Sequence, residues 1–214
     1  MQRPKAIIFD LDGVLTDTAE YHYQAWKRLA DEERIPFTRE ENDAHLRGVG
    51  RRESLLYMLQ GRQVSEAQLQ DMMERKNRYY NEMITSMTPA NLVAGGRELL
   101  AEIRQAGIKV AVASASKNCR TVLQHLDIVS ALDVIVDGNC VINSKPAPDL
   151  FVFAAGAVYI PTPDCLVIED ADAGVESAKT GGMQAIGIGP VERFQRADKV
   201  LPTLENKHLQ DLLD

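Results

Sequence analysis

Two carboxylates stand two residues apart in Phe9-Asp10-Leu11-Asp12-Gly13-Val14. They follow the apolar run Ala6-Ile7-Ile8-Phe9, where no core residue needs them. At a strand tip the first carboxylate can attack an electrophile. The second, on the turn, can exchange a proton with the entering or leaving oxygen. Gly13 would free the turn sterically. An Asx-turn that caps a helix, with no chemistry, would use the same residues. A second acidic pair, Glu169-Asp170, follows the apolar run Leu166-Val167-Ile168. Its plainer use would be to favour the N-terminus of a helix beginning near Gly174. If both runs end on one sheet edge, four carboxylates converge, and like charges at close range cannot all ionise without a cation. Oxygen ligands with no nearby His or Cys cluster favour Mg²⁺.

Two further segments offer phosphate contacts. Ser114-Ala115-Ser116-Lys117-Asn118 follows the run Val110-Ala111-Val112-Ala113 and is expected to open a helix. Its hydroxyl and backbone N–H groups could hold a phosphate oxygen, although Ser and Asn are also ordinary N-caps. Lys145, in Ser144-Lys145-Pro146-Ala147-Pro148, sits on a proline-stiffened loop. A lone lysine is commonly a solvated surface residue, but this one is the obvious cation to offset the acids and grip a phosphoryl group.

The elements that must position these groups are legible as runs and stripes. Four apolar runs stop abruptly at polar residues: those before Asp10, Ser114 and Glu169, and Val134-Ile135-Val136 before Asp137. Ala185-Ile186-Gly187-Ile188 is a fifth. Short β-branched runs of this kind predict strands buried on both faces. Helical patterns at residues 97–106, ending at Gly107, and at 174–180 lie between them. Strand–helix alternation implies a doubly wound parallel sheet, a Rossmann-like α/β core.

Residues 17–88 carry no convincing strand. Asp17-Thr18-Ala19-Glu20 resembles a capping box, before a helix with Ala19, Tyr23, Trp26 and Ala30 on one stripe. Ser65-Glu66-Ala67-Gln68 opens a second helix, whose Met and Tyr stripe predicts core packing. This segment holds 13 acids and 11 bases in 72 residues, a denser charge than the 18 and 13 in the other 142. The simplest organisation is a core of residues 1–16 and 89–214, interrupted by an inserted all-helical cap of residues 17–88. The 214-residue length, between one and two domains, agrees with that.

The formal charge of −7 argues against nucleic-acid or membrane-surface partners and leaves a small phosphate ligand open. No leader or membrane span is expected, because the first apolar run is too short. Three widely spaced cysteines, Cys119, Cys140 and Cys165, predict free thiols in the cytoplasm. Leu204, Leu209, Leu212 and Leu213 predict a terminal helix docked on the core.

Taken in this order, the Asp10/Asp12 turn, Ser114, Lys145 and Glu169-Asp170 resemble the haloacid dehalogenase superfamily of aspartate-dependent phosphotransferases. The resemblance runs the length of the core. It implies that Asp10 is the nucleophile that becomes an aspartyl-phosphate. Asp12 would be the general acid/base, with its backbone carbonyl toward the metal. Ser114 and Lys145 would hold the transferring phosphoryl, and Asp10, Asp12, Glu169 and Asp170 would make the Mg²⁺ site. Residues 16–22, 47–54, 75–77 and 113–118 resemble the sugar-phosphate mutases of that superfamily. That resemblance implies interconversion of β-glucose 1-phosphate and glucose 6-phosphate, with glucose 1,6-bisphosphate as activator and a small sugar phosphate as partner of a monomer. It extends the substrate contacts to Thr18, His22, Trp26, Arg47, Gly48, Arg51, Ser54, Lys76, Ala115 and Asn118. His22 and Lys76 would couple cap closure to substrate binding, while Trp26 could equally be core.

Arg51, with glycines nearby, could bind a second, non-transferring phosphate by bidentate contacts, or be part of a solvated basic turn. Three departures weaken the mutase pattern. Arg47 and Gly50 stand where it usually has Lys and Ser, and Ala171 stands where the family often has Ser. A sugar-phosphate phosphatase is the alternative, and a non-catalytic phosphate-binding protein the third expectation.

Overall fold

The computed structural model describes residues 3–214. Six strands form one parallel sheet: β1 (Ala6–Phe9), β2 (Lys109–Ala113), β3 (Val134–Val136), β4 (Cys165–Glu169), β5 (Gln184–Ile188) and β6 (Lys199–Leu201). Their order is β3-β2-β1-β4-β5-β6. β1 is central, aligned Phe9 to Val112 on one side and Phe9 to Ile168 on the other. Its alternating side chains feed two cores, as a period of two requires. Ile7 and Phe9 pack with Leu99, Leu100, Val122 and Leu123 on one face. Ala6 and Ile8 pack with Leu150, Phe151, Val175 and Ala178 on the other.

The helices that cover these faces are α5 (Gly96–Gln105), α6 (Cys119–His125), α7 (Asp149–Ala157), α8 (Asp172–Thr180) and α9 (Leu209–Leu213). The expected α/β architecture is therefore present. All five predicted strands form, within a residue of their expected limits. β6 was not foreseen: Lys199-Val200-Leu201 is only three residues long and half-buried at the sheet edge. It carries little of the apolar signal that marks the central strands.

Four helices intervene between β1 and α5: α1 (Ala19–Glu33), α2 (Arg39–His45), α3 (Arg51–Leu59) and α4 (Glu66–Ile84). Trp26, Leu29, Phe37, Leu55, Met58, Leu69 and Met72 give them a core of their own. Tyr79, Tyr80 and Ile84, in the last turns of α4, join the sheet core instead. The two connections between the helical insert and the sheet are tied together. Thr16 Oγ1 donates to the Asn91 carbonyl at 2.7 Å, and the Val93 N–H to the Leu15 carbonyl at 2.8 Å.

The capping box at Ser65 forms as expected. The one expected at Asp17 does not: Thr18 is the N-cap of α1, and its side chain makes no cap hydrogen bond. Asp17 instead accepts from the Ala19 N–H at 3.1 Å. The Thr18 hydroxyl is drawn away by Asp12, a partner six residues upstream. Cys119 and Cys165 are buried and Cys140 is exposed, all as free thiols. Among the described residues, no helix is long and apolar enough to cross a membrane.

Candidate active site

The strand order reverses between β1 and β4, and ligands of open α/β sheets bind beyond the carboxyl ends of the strands at such a switch point. Asp10 lies there, one residue past β1, its N–H donating to the Ile168 carbonyl at 2.9 Å. Glu169 ends β4, and Asp170 follows it. The chain turns back at Gly13, whose φ is +80°. A Cβ there would collide with the Asp170 carboxylate, so this turn needs glycine for both conformation and space.

Lys145 reaches under these acids from the loop before α7. Its Nζ donates to Asp10 Oδ1 at 2.6 Å and to Glu169 Oε2 at 2.7 Å, and its side chain is fully buried. Burial disfavours the ammonium, but Asp10 and Glu169 outweigh that and raise its pKa. Glu169 Oε1 accepts from the Ala171 N–H at 3.0 Å, so both oxygens of this buried carboxylate are engaged.

One cation does not neutralise this cluster. Burial and the neighbouring Asp10 raise the pKa of Glu169. Burial also raises Asp170, against the pull of Arg47. Asp12 is pushed up to about 8, by burial first and then by Asp10 and Asp170. Carboxylate oxygens of Asp10, Glu169 and Asp170 lie within 4.8 Å of one another. An all-oxygen donor set with this unmet negative charge suits a divalent cation such as Mg²⁺. The Asp12 carboxylate lies outside that trio among the described residues, which leaves it available for proton transfer.

The helical insert lies over the acids and supplies the opposite charge. The Thr18 hydroxyl donates to Asp12 Oδ1. His22 Nε2 is 3.9 Å from Asp12 Oδ2, and His22 Nδ1 is 2.8 Å from Lys76 Nζ. Burial, then Lys76 and Arg51, hold the His22 pKa well below its usual value, so the imidazole is neutral. Burial and Arg51 likewise depress Lys76, whose Nζ lies 4.9 Å from the Trp26 ring centroid. Arg47 pairs with Asp170 across the gap between insert and sheet. Arg51 Nη2 donates to Asn77 Oδ1 at 2.8 Å, and Asn118 Nδ2 donates to the same oxygen at 2.8 Å.

A single cavity brings together Asp10, Asp12, His22, Trp26, Arg47, Gly48, Arg51, Ser54, Lys76, Ser114, Ala115 and Asp170. Four residues expected at the site do not line it. Thr18 is fully buried behind Asp12, and Lys145 and Glu169 lie beneath Asp10. Asn118 reaches the region only through Asn77. Trp26 serves both expected purposes, lining the cavity and packing among Leu29 and Leu55.

Sequence reasoning did not single out Ser116 and Lys117, which also line the cavity. Their position in one loop with Ser114 was the available signal. The Ser114 Oγ accepts from the Ser116 N–H at 3.1 Å, which folds that loop back on itself. The departure at Gly50 has no backbone cause, since its φ is −61°. A Cβ there would meet the Glu53 carboxylate, the movable end of a flexible side chain, so nothing in the structure explains the glycine.

Comparison with known proteins agrees with this geometry. The haloacid dehalogenase-like hydrolase family profile matches residues 7–188. A β-phosphoglucomutase of Bacillus subtilis is 41% identical over 201 residues, covering 92% of this chain and 88% of that protein. A phosphorylated carbohydrates phosphatase of Thermotoga maritima is 29% identical over 184 residues, 85% of this chain and 83% of that one. The crystal structure of a β-phosphoglucomutase from Clostridium difficile superposes with a TM-score of 0.94 at 36% identity, covering 98% of this chain and 96% of that one. The chain belongs to the haloacid dehalogenase-like hydrolase family.

Proposed function

We propose that this protein is a Mg²⁺-dependent phosphosugar mutase. It would interconvert β-glucose 1-phosphate and glucose 6-phosphate through an aspartyl-phosphate and glucose 1,6-bisphosphate. The observation that carries the proposal is the second cationic centre. Arg51 and Lys76 face the same cavity as the nucleophile cluster, so the cavity can take a sugar with a phosphate at each end. Similarity to two β-phosphoglucomutases supports the same substrate class. We place the catalytic core at residues 1–16 and 89–214 and the cap at 17–88.

In this scheme Lys145 takes Oδ1 of Asp10, leaving Oδ2 to attack the phosphoryl group. Asp12, whose pKa burial raises to about 8, gives its proton to the departing oxygen and recovers it from the sugar hydroxyl that attacks next. The Thr18 hydroxyl holds Asp12 in line. Ser114 and Lys145 stabilise the transferring phosphoryl, while Arg51 and Asn118 hold the other phosphate. Mg²⁺ held by Asp10, Asp170 and the Asp12 carbonyl, near Glu169, would supply neutralisation of the phosphoryl charge. The bisphosphate turns end for end between half-reactions. The helical insert must therefore close over Asp10 to keep water from the aspartyl-phosphate.

The test is incubation with β-glucose 1-phosphate, Mg²⁺ and a trace of glucose 1,6-bisphosphate. Accumulation of glucose 6-phosphate without inorganic phosphate is expected. Steady phosphate release with no glucose 6-phosphate would favour a sugar-phosphate phosphatase, the second reading, which the Thermotoga maritima relative supports.

A further inference from the structure

Arg51 is a charge without a counter-charge. Burial lowers its pKa, and among the described residues it makes no ion pair. Its one hydrogen bond goes to Asn77 Oδ1, on α4. An arginine can only donate, so the Asn77 atom facing it must be the carbonyl oxygen. Asn118, in the loop before α6, turns its amide N–H to that same oxygen. One neutral oxygen thus receives a donor from the insert and a donor from the sheet domain, each at 2.8 Å. A phosphate oxygen has the same acceptor geometry with more charge.

We propose that Asn77 Oδ1 occupies, in the empty enzyme, the place of an oxygen of the substrate's non-transferring phosphate, and that this phosphate displaces it. The inference rests on the mutase reading of Arg51 above. Asn77 is then a positioning residue. It keeps Arg51 and Asn118 aimed at one point and holds the insert against the sheet domain until a stronger acceptor arrives. A carboxamide suits this use because it is a weaker partner for a guanidinium than an anion is. An aspartate at 77 would hold Arg51 by a charge-assisted bond and resist displacement.

The experiment compares KM for β-glucose 1-phosphate, with saturating glucose 1,6-bisphosphate, against KM for acetyl phosphate, which has only the transferring group. The ratio of the two is measured for Asn77→Asp, Asn77→Ala and Arg51→Ala, and for both Asn77 variants in the Arg51→Ala background. Thermal melts check folding, and Asn77→Ser replaces Ala if that variant melts early. Arg51→Ala should raise the ratio. Asn77→Asp should raise it about tenfold, as a charged partner replaces a neutral one. Asn77→Ala, or Ser, should lower it about threefold, since less must be displaced. Both Asn77 effects should vanish without Arg51, because they act through it.

A rise with Asn77→Ala would make Asn77 a fixed phosphate ligand and overturn displacement alone. Effects of Asn77 that persist without Arg51 would do the same. An unchanged ratio in Arg51→Ala would overturn both the displacement and the second-phosphate site beneath it.

Discussion

The sheet edge and the helical insert bring opposite charges to one cavity, and they stabilise those charges in opposite ways. At the sheet edge the buried charges have partners: Lys145 bridges Asp10 and Glu169, and Arg47 meets Asp170. On the insert, Lys76 and Arg51 have no counter-charge among the described residues. Lys76 is 3% exposed with only a neutral histidine at hydrogen-bond distance, and Arg51 has only an amide. A buried ion pair is costly to break because the remaining partner is left uncompensated. A buried lone cation is costly to keep. The paired region therefore reads as permanent machinery, and the unpaired region as a site whose counter-charge arrives with the substrate.

The largest expected effect is at the proposed nucleophile. Asp10→Asn should reduce turnover of β-glucose 1-phosphate and of acetyl phosphate by about 10⁴-fold or more, measured as initial rates. Retained activity on either ester would remove Asp10 from the chemistry and leave it only the role of partner to Lys145. Next in size are two lysine substitutions that set the regions against each other. Lys145→Met strands two buried carboxylates and should cost about 3–5 kcal/mol, roughly 10 °C in melting temperature for a chain of this length. Lys76→Met removes a charge that burial already disfavours, so its melting temperature should stay level or rise, while kcat/KM for the sugar phosphate falls about tenfold or more. Equal destabilisation by the two would erase the contrast, and differential scanning calorimetry decides it.

The sheet region was largely legible in the sequence, and the insert much less so. Ala6-Ile7-Ile8-Phe9 and Leu166-Val167-Ile168 end in acids because parallel strands must be apolar throughout and the ligand site lies just past them. That logic is local, so Asp10, Asp12, Glu169 and Asp170 could be chosen from their neighbours. Lys145 could be chosen as the cation, but not its two partners, which are 135 and 24 residues away. Asn77 was invisible as an acceptor. An asparagine on the polar side of a charged helix is ordinary until α4 packs over the loop that carries Asn118. The cap expected at Asp17 misled for the same reason: the N-cap falls to Thr18, whose hydroxyl goes to Asp12.

A third prediction concerns pH, and it acts on the acid cluster alone. A carboxyl group with a raised pKa keeps its proton in the folded state where the unfolded chain has lost it. As pH rises from about 4 to about 8, the window bounded by the ordinary Asp value and the raised Asp12, the folded cluster binds more protons than the unfolded chain and its contribution to stability falls. Mg²⁺ binds the ionised carboxylates, so its stabilising effect grows across the same window. The rise in melting temperature on saturating Mg²⁺ should be at least about twice as large near pH 8 as near pH 5. An equal rise at both would show that these carboxyls are already ionised at the lower pH.

The smallest expected effect tests the one place where the two regions touch by charge. Arg47, from the insert, pairs with Oδ2 of Asp170, a carboxylate the cation would need. Its side chain is 28% exposed, so the pair is partly screened by water and contributes about 0.5–1 kcal/mol. If the guanidinium competes with Mg²⁺ for that oxygen, Arg47→Ala should tighten Mg²⁺ binding about two- to fivefold, read by calorimetric titration of the ligand-free protein. Weaker binding in the variant would mean that Arg47 orients Asp170 for the metal. Arg47 would then belong with Lys145 as fixed support, with Arg51 and Lys76 still the unpaired, substrate-awaiting charges.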